Sequence, residues 1–438
     1  MSEYPELDLE QERVEFTAEM KKTHTILVPN MLPVHFRLVE HVFDMYGYHV
    51  EVLHNEGRAV VDTGLQYVHN DTCYPALLVI GQMIDALNSG KYDLDRVALM
   101  ITQTGGGCRA SNYIHLLRKA LKKAGYGQIP VISLNASGLE KNSGFKVTPS
   151  MLMKALYMLL YGDLLMLLRN QTIPYEDNPG EAERLVDDWA LRLTEQFRTL
   201  GSFTPKAFKE NLAAIVREFE AVPVTITPKI KVGIVGEIYV KYSSLANNGL
   251  EQFLVDQGCE VMVPGLLGFL NYCVQTRIDD INLYGGSGAK DFVLKRVIAL
   301  TRRVEDAMIA AVKASKRFVA PPTFRESMES VEGVVGLGCK MGEGWLLTAE
   351  IMDLVHSGYE NVICAQPFGC LPNHIVGKGM IRKVRELCPG ANIVPIDYDP
   401  GATRVNQENR IKLMLAVARE RQGGVSPVNP GDYSGETA

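Results

Sequence analysis

At 438 residues the chain exceeds one compact core, since single cores stop growing near roughly 250–300 residues, and two or three packed units are expected. Hydrophobic residues make up 46% and charged residues 22%, a water-soluble globular balance that excludes a mainly disordered or fibrous protein. With 45 Lys and Arg against 51 Asp and Glu, the formal net charge is −6, so no global basic field is present to hold nucleic acid or an anionic membrane.

Residues 1–22 read as a charged N-terminal arm without the pattern of a secretory signal or Arg-rich transit peptide, and the chain is expected in the cytoplasm. THTILVPN then supplies a β-branched apolar run closed by Pro29, a strand and turn. PVHFRLVEHVFDMYG has helical apolar spacing and stops at Gly47, and YHVEVL reads as the next strand. The rhythm continues with a helix over 76–87, a strand over 97–102, a helix over 113–124 and a strand over 130–134. That alternation predicts a first doubly wound α/β domain over 23–145, with ligands at the carboxyl ends of its strands.

Over 146–228 the rhythm gives way to helical sequence, read as an insertion. Its apolar stretch Met151–Leu168 contains Lys154 and Asp163, whereas a spanning helix needs about 20 predominantly apolar residues, so a buried or subunit-facing helix is expected. KVGIVGEIYV restarts strand chemistry at 231–240, and strands near Val261, 362–365 and 393–396 complete a second α/β domain over 229–421. HTILVPN leading to YGYHVEVL parallels KVGIVGE leading to QGCEVMVP, which suggests weak internal duplication. A polar, Gly- and Pro-rich tail over 422–438 has little to bury. The fold class predicted is therefore α/β, two doubly wound Rossmann-like domains with a helical insertion between them.

Eight cysteines without a signal peptide fit a reducing compartment, where thiols stay free and metal or redox chemistry comes before disulfides. Cys73 in HNDTCYPA, Cys108 in QTGGGCRASNY and Cys370 in QPFGCLPNH each sit near a strand or loop end just ahead of a helix. Helix N-termini stabilise thiolate, and Gly106, Gly107 and Gly369 let backbone amides approach sulfur closely. Distant cysteines converging between two domains suit an iron–sulfur cluster, although an isolated cysteine also serves as a small buried hydrophobe. No CxxC pair supports structural zinc. Cys339, in GLGCKMGEGWLL, is a further candidate ligand; Cys259, Cys273, Cys364 and Cys388 are expected in the core or on the surface.

Arg109 beside Cys108, Glu343 in GEGWLLTAE and His374 four residues after Cys370 are candidate polarising or proton-transfer groups. Glu343 also suits a helix cap with Trp345 in the core, and His374 a hydrogen-bonded loop position. In IDYDPGATRVNQENR, Thr403 is placed to cap a helix, with Asp397 and Asp399 in the loop before it. GxxxxGK[ST] is absent and GGSGAKD lacks phosphate-cradling spacing, so ATP hydrolysis by this chain alone is not expected.

Taken together, HTILVPNMLPVHFRLVEHVFDMYGYHVEVL, NDTCYPALLVIGQMIDALNSGKYD, TQTGGGCRASNYIHLLRKAL and QPFGCLPNHIVGKGMIRKVRE followed by IVPIDYDPGAT resemble one family. It is the 2-hydroxyacyl-CoA dehydratase and benzoyl-CoA reductase-like (double-cubane cluster protein) superfamily, in its branch related to the C-terminal regions of acyl-CoA dehydratase activases. The resemblance implies Cys73, Cys108 and Cys370 as ligands of a [4Fe-4S] or double-cubane [8Fe-9S] iron–sulfur cluster. It also implies an ATP-hydrolysing iron–sulfur activator of the sugar kinase, Hsp70 and actin type as electron donor, a homo- or hetero-oligomer, and a reductase or 2-hydroxyacyl-CoA dehydratase-like activity. The sequence stands nearer the branch than the dehydratase subunits, so the small substrate need not be an acyl-CoA. Two other readings stay open: a metal-free two-lobed small-ligand-binding protein, and a cluster-bearing electron-transfer partner without its own substrate.

Overall fold

The computed structural model describes residues 13–69, 72–103, 107–134, 140, 142–198 and 204–423. In chain order the first part comprises α1 (Met20–Thr23), β1 (Thr25–Val28), α2 (Pro33–Met45), β2 (His49–Val52), α3 (Arg58–Tyr67), α4 (Tyr74–Asn88), β3 (Val97–Thr102), α5 (Tyr113–Ala124) and β4 (Val131–Leu134). Three helices follow, α6 (Pro149–Thr172), α7 (Glu181–Arg198) and α8 (Pro205–Glu220). The last part runs β5 (Ile230–Gly236), α9 (Ile238–Tyr242), α10 (Ser244–Asn247), α11 (Leu250–Asp256), β6 (Cys259–Met262), α12 (Leu266–Tyr284) and α13 (Gly288–Ala314). It ends with α14 (Phe324–Ser330), α15 (Trp345–His356), β7 (Asn361–Pro367), α16 (Ile381–Leu387), β8 (Asn392–Tyr398) and α17 (Arg404–Gln422).

Two four-stranded sheets result, ordered β2-β1-β3-β4 and β6-β5-β7-β8. Among the described residues all pairings within the two sheets are parallel; Ile26 lies opposite both Val50 and Ala98, and Val235 opposite Cys364. Parallel strands covered on both faces need continuous apolar runs, which VALMIT in β3 and the buried residues of β5 and β7 provide. In each sheet the order reverses between the first strand and the third, so the ends of β1 and β3, and of β5 and β7, bound the crevice where such folds take ligands.

The segment α3, absent from the sequence reading, packs on α4 through glycine. A Cβ at Gly81 would stand 2.3 Å from the Val60 carbonyl oxygen, so only glycines allow the two backbones this approach. The restart at 231–240 is strand only to Gly236; Ile238–Tyr242 is helical, because the Glu237 carboxylate accepts the Val240 N–H at 2.9 Å and caps the turn. The described part of the N-terminal arm is not merely charged, since Phe16 is fully buried and its N–H donates to Asn142 Oδ1 at 3.2 Å. Residues 1–12 and tail residues 424–438 lie outside the described residues.

Helix α6 is long and apolar enough to cross a membrane by composition, yet 67% of its apolar window is buried within the protein. Thr148 caps it and Pro149 opens it, while Met158, Leu160, Leu164, Leu165 and Leu168 join a core that runs into both sheets. This burial gives the helix a core role within the chain. Asp163 explains its own place in this apolar helix: it accepts His35 Nε2 from the first lobe at 2.7 Å, and the Leu266 and Leu267 N–H groups of the second at 2.7 and 3.0 Å. A buried carboxylate satisfied from two sides joins the lobes through the helical segment. The three helices do not form a separate unit, because Phe197, Phe208 and Leu212 share one cluster with Val312, Phe318 and Trp345.

Candidate functional site

Loops from both crevices converge. Cys73 stands at the N-cap of α4, Cys108 precedes the 3-10 turn Arg109–Asn112 behind β3, and Cys370 follows β7 at Gly369, whose φ is +74°. All three thiols are half-buried. Cys73 is close enough to Cys108 and Cys370 that each negative charge raises the cost of another, and the Glu237 carboxylate at the end of β5 acts on all three. Glu343 acts on Cys108 and Cys370.

Donors are aimed at the sulfurs. The Tyr113 hydroxyl donates to Cys73 Sγ at 3.2 Å, and Asn373 Nδ2 donates to Cys370 Sγ at 3.4 Å. Backbone N–H groups of Ala76, of Arg109 and Ala110, and of Asn373 support Cys73, Cys108 and Cys370 respectively. This is the helix-start geometry that the sequence predicts, but its electrostatic result is reversed. Burial is the largest cause at each sulfur and, together with the carboxylates, outweighs the N–H groups: Cys73 is pushed up to about 12, and Cys108 and Cys370 also move up. The protein thus favours neutral thiols, and a positively charged centre would have to draw off their protons.

The two carboxylates were not both legible in sequence. Glu343 was expected to cap its own helix, but Gly344 occupies the N-cap of α15. The Glu343 carboxylate instead accepts the Ile238 N–H of α9 at 2.9 Å and Asn373 Nδ2 at 3.2 Å. Burial raises both above the ordinary carboxylate range, with the Glu343 charge adding to it at Glu237 and the Glu350 charge at Glu343. Trp345 fulfils its core expectation, fully buried between Tyr272 and Phe324 at ring distances of 5.3 and 5.8 Å. Glu237 and Tyr113 were missed; their signal lay in position, one directly after a switch-point strand and the other opening the helix behind the Cys108 loop.

The other candidates fall as follows. Gly106 lies outside the described residues, whereas Gly107 faces Met341, whose Sδ is 2.5 Å from where a Cβ would stand. His374 is hydrogen-bonded, with Nδ1 2.9 Å from the Cys370 carbonyl oxygen, but it lies in the helical turn Asn373–Gly377 and not in a loop. Arg109 is exposed beside Cys108. Cys339 is exposed, unlike the half-buried trio; Cys259, Cys364 and Cys388 are buried and Cys273 is half-buried. Thr403 stands at the N-cap of α17 without a side-chain cap bond, while Asp399 accepts the Gly401 N–H at 2.7 Å and Asp397 accepts Gln366 Nε2 at 2.6 Å.

Among the described residues, no three His, Cys, Asp or Glu side chains close around a point as ligands of a single metal ion would. Cluster thiolates bind separate irons and stand farther apart, and half-buried sulfurs with N–H and O–H donors aimed at them are a soft donor set suited to such a group. No protein-family model and no curated protein matches the chain.

Proposed function

We propose that the chain is an iron–sulfur protein of the 2-hydroxyacyl-CoA dehydratase-like kind, cytoplasmic and oxygen-sensitive, which takes electrons from an ATP-hydrolysing activator for a demanding reduction or dehydration of a small substrate. One observation carries this reading: half-buried thiols from both lobes, Cys73 and Cys108 from the first and Cys370 from the second, stand at chain turns after switch-point strands or at helix starts, with hydroxyl and amide donors aimed at Cys73 and Cys370. Cys73, Cys108 and Cys370 would hold a [4Fe-4S] or double-cubane cluster. When bound, such a cluster supplies low-potential one-electron chemistry. Tyr113, Asn373 and the backbone N–H groups donate to sulfur and so set the electron density at the ligands. Glu343, raised by burial, keeps a proton more readily than a free carboxyl group and holds it beside Asn373.

Anaerobically purified protein is expected to be brown and to contain iron and sulfide, with loss of both when Cys73, Cys108 or Cys370 becomes Ser. A folded, iron-free wild type would sink the proposal. A second reading, a metal-free clamp for a small ligand, draws on a crevice of about 560 Å³ between the lobes, lined by His54, Arg169 and Lys241 among others. The same iron and sulfide assay separates the two.

A further inference from the structure

The α12–α13 hairpin carries an apolar face without a cover. Leu283, Tyr284, Phe292, Val293, Val297 and Leu300 are exposed, Tyr284 by 75% and Phe292 by 58%. Residues 293, 297 and 300 follow helical spacing and form one stripe. Around it stand Lys290, Lys295, Arg296, Arg302 and Arg303, all exposed; Asp291, the only acid in residues 286–303, pairs with Lys295 at 2.7 Å and leaves a clear excess of positive charge. This is a local basic field on a chain whose formal net charge is −6.

The stripe runs on to the cysteine site. Leu283 reaches Gly338, and Lys340 pairs with Asp280 while lying over the Tyr284 ring at 5.8 Å. Met341, next in sequence, is exposed and abuts Gly107 beside Cys108. Pro372 packs on Gly342, and Phe368, Leu371 and Ile375 expose apolar side chains on either side of Cys370. An exposed apolar path thus connects the basic hairpin with the rim of two of the three thiols.

We propose that this surface docks the electron donor, and that the donor is a protein with an acidic face around its own redox centre. The inference rests on the iron–sulfur reading above and adds the place and charge of the partner. Charge complementarity selects the occupant: with Lys295 paired to Asp291, a second copy would still set the four remaining cations of the stripe against the same four, whereas an acidic face is attracted and oriented by them. The apolar path supplies the contact area and leads the partner to the cysteine rim.

The test uses full-length, anaerobically purified protein and an acidic plant-type ferredoxin as probe. Calorimetric binding at low ionic strength should weaken about tenfold in Lys295→Glu/Arg296→Glu, by a similar factor in Lys290→Glu/Arg303→Glu, and several-fold in Phe292→Ser/Val297→Ser. Electron transfer from the reduced probe should fall in parallel, while reduction by dithionite and the melting temperature stay unchanged. Absence of low-salt binding, or binding indifferent to charge reversal, overturns the proposal. So does self-association of the wild type that these variants abolish, or hairpin-dependent binding to phosphatidylserine vesicles with no ferredoxin binding. If the protein proves iron-free, the electron-transfer reading falls, and calorimetry alone decides the docking surface.

Discussion

The two sheets share one strand order but load their switch points with different chemistry. In the first lobe, the chain after β1 is fixed by the Asn30 N–H donating to Gln82 Oε1 at 3.1 Å, and the neighbouring loops carry Cys73, Cys108 and the Tyr113 hydroxyl. In the second, Glu237 directly follows β5, β7 leads to Cys370, and Glu343 arrives from the segment before α15. One lobe therefore brings two thiols and a phenol, the other one thiol and two carboxylates. The fold fixes where side chains meet, and the residues at those ends decide what the meeting can do.

The largest effect should come from removing the thiols themselves. If both lobes share one cluster, Cys108→Ser in the first lobe and Cys370→Ser in the second lose iron alike, whereas Cys364→Ser, whose sulfur is buried in β7, keeps it. Iron and sulfide per chain measure this. Retention of full iron in either ligand variant would divide the lobes and break the comparison.

Next in size is a charge pair that belongs to the second lobe. Lys241 Nζ donates to Glu350 at 2.9 and 3.1 Å, and both residues are buried. Lys241→Met leaves the Glu350 carboxylate without its counter-charge and should cost about 3–5 kcal/mol in denaturant unfolding. Lys241→Met/Glu350→Leu should recover most of that loss, because no buried charge is then left alone.

A smaller, pH-dependent effect lies at Glu305, also in the second lobe, beside a cavity of about 110 Å³. Burial chiefly, with Asp306 adding repulsion, raises its carboxyl from 4.5 to about 7, although the Phe324 N–H donates to it at 3.1 Å. The unfolded chain releases this proton above about 4.5 while the folded chain keeps it until about 7. Its contribution to stability is thus complete below 4.5 and lost as pH rises through 7. Relative to Glu305→Gln, the wild type should lose about 3 kcal/mol between pH 4.5 and 8. Parallel stability curves for the two proteins would contradict the shift.

Much of the frame was legible because its signals are local. The apolar run of β3 and the helical spacing of α5 define Val97–Thr102 and Tyr113–Ala124 with the bounds read from sequence. The cysteine loops could be singled out because each stands ahead of a helix turn. What escaped depends on partners distant in sequence. RAVVDTGLQY in α3 has β-branched residues and a glycine that disfavour helix, and only the contact of Gly64 and Gly81 with the neighbouring helix makes it fit. Glu343 caps α9 across 105 positions, a relation no local pattern contains. The upward shift of the thiols has the same origin, since the carboxylates that oppose them sit on the other lobe from Cys73 and Cys108.

That last point gives the smallest predicted effect and the most direct comparison of the lobes. Glu343→Gln keeps one oxygen to accept from Ile238, gives up the acceptor that faces Asn373, and removes the charge that opposes thiolate formation. Glu343 acts on Cys370 as the largest influence after burial and also acts on Cys108, whereas Cys73 responds chiefly to burial and then to Glu237. In metal-free protein, alkylation proceeds through the thiolate, so its rate at a given pH follows the thiolate fraction. Glu343→Gln should therefore speed iodoacetamide labelling of Cys370 and Cys108 several-fold, with a smaller change at Cys73, as read by peptide mass spectrometry. Glu237→Gln should speed all three, because its charge reaches every sulfur. Unchanged labelling of all three cysteines in both variants would show that burial alone sets the thiols, and that the carboxylates of the second lobe serve only to cap its helix.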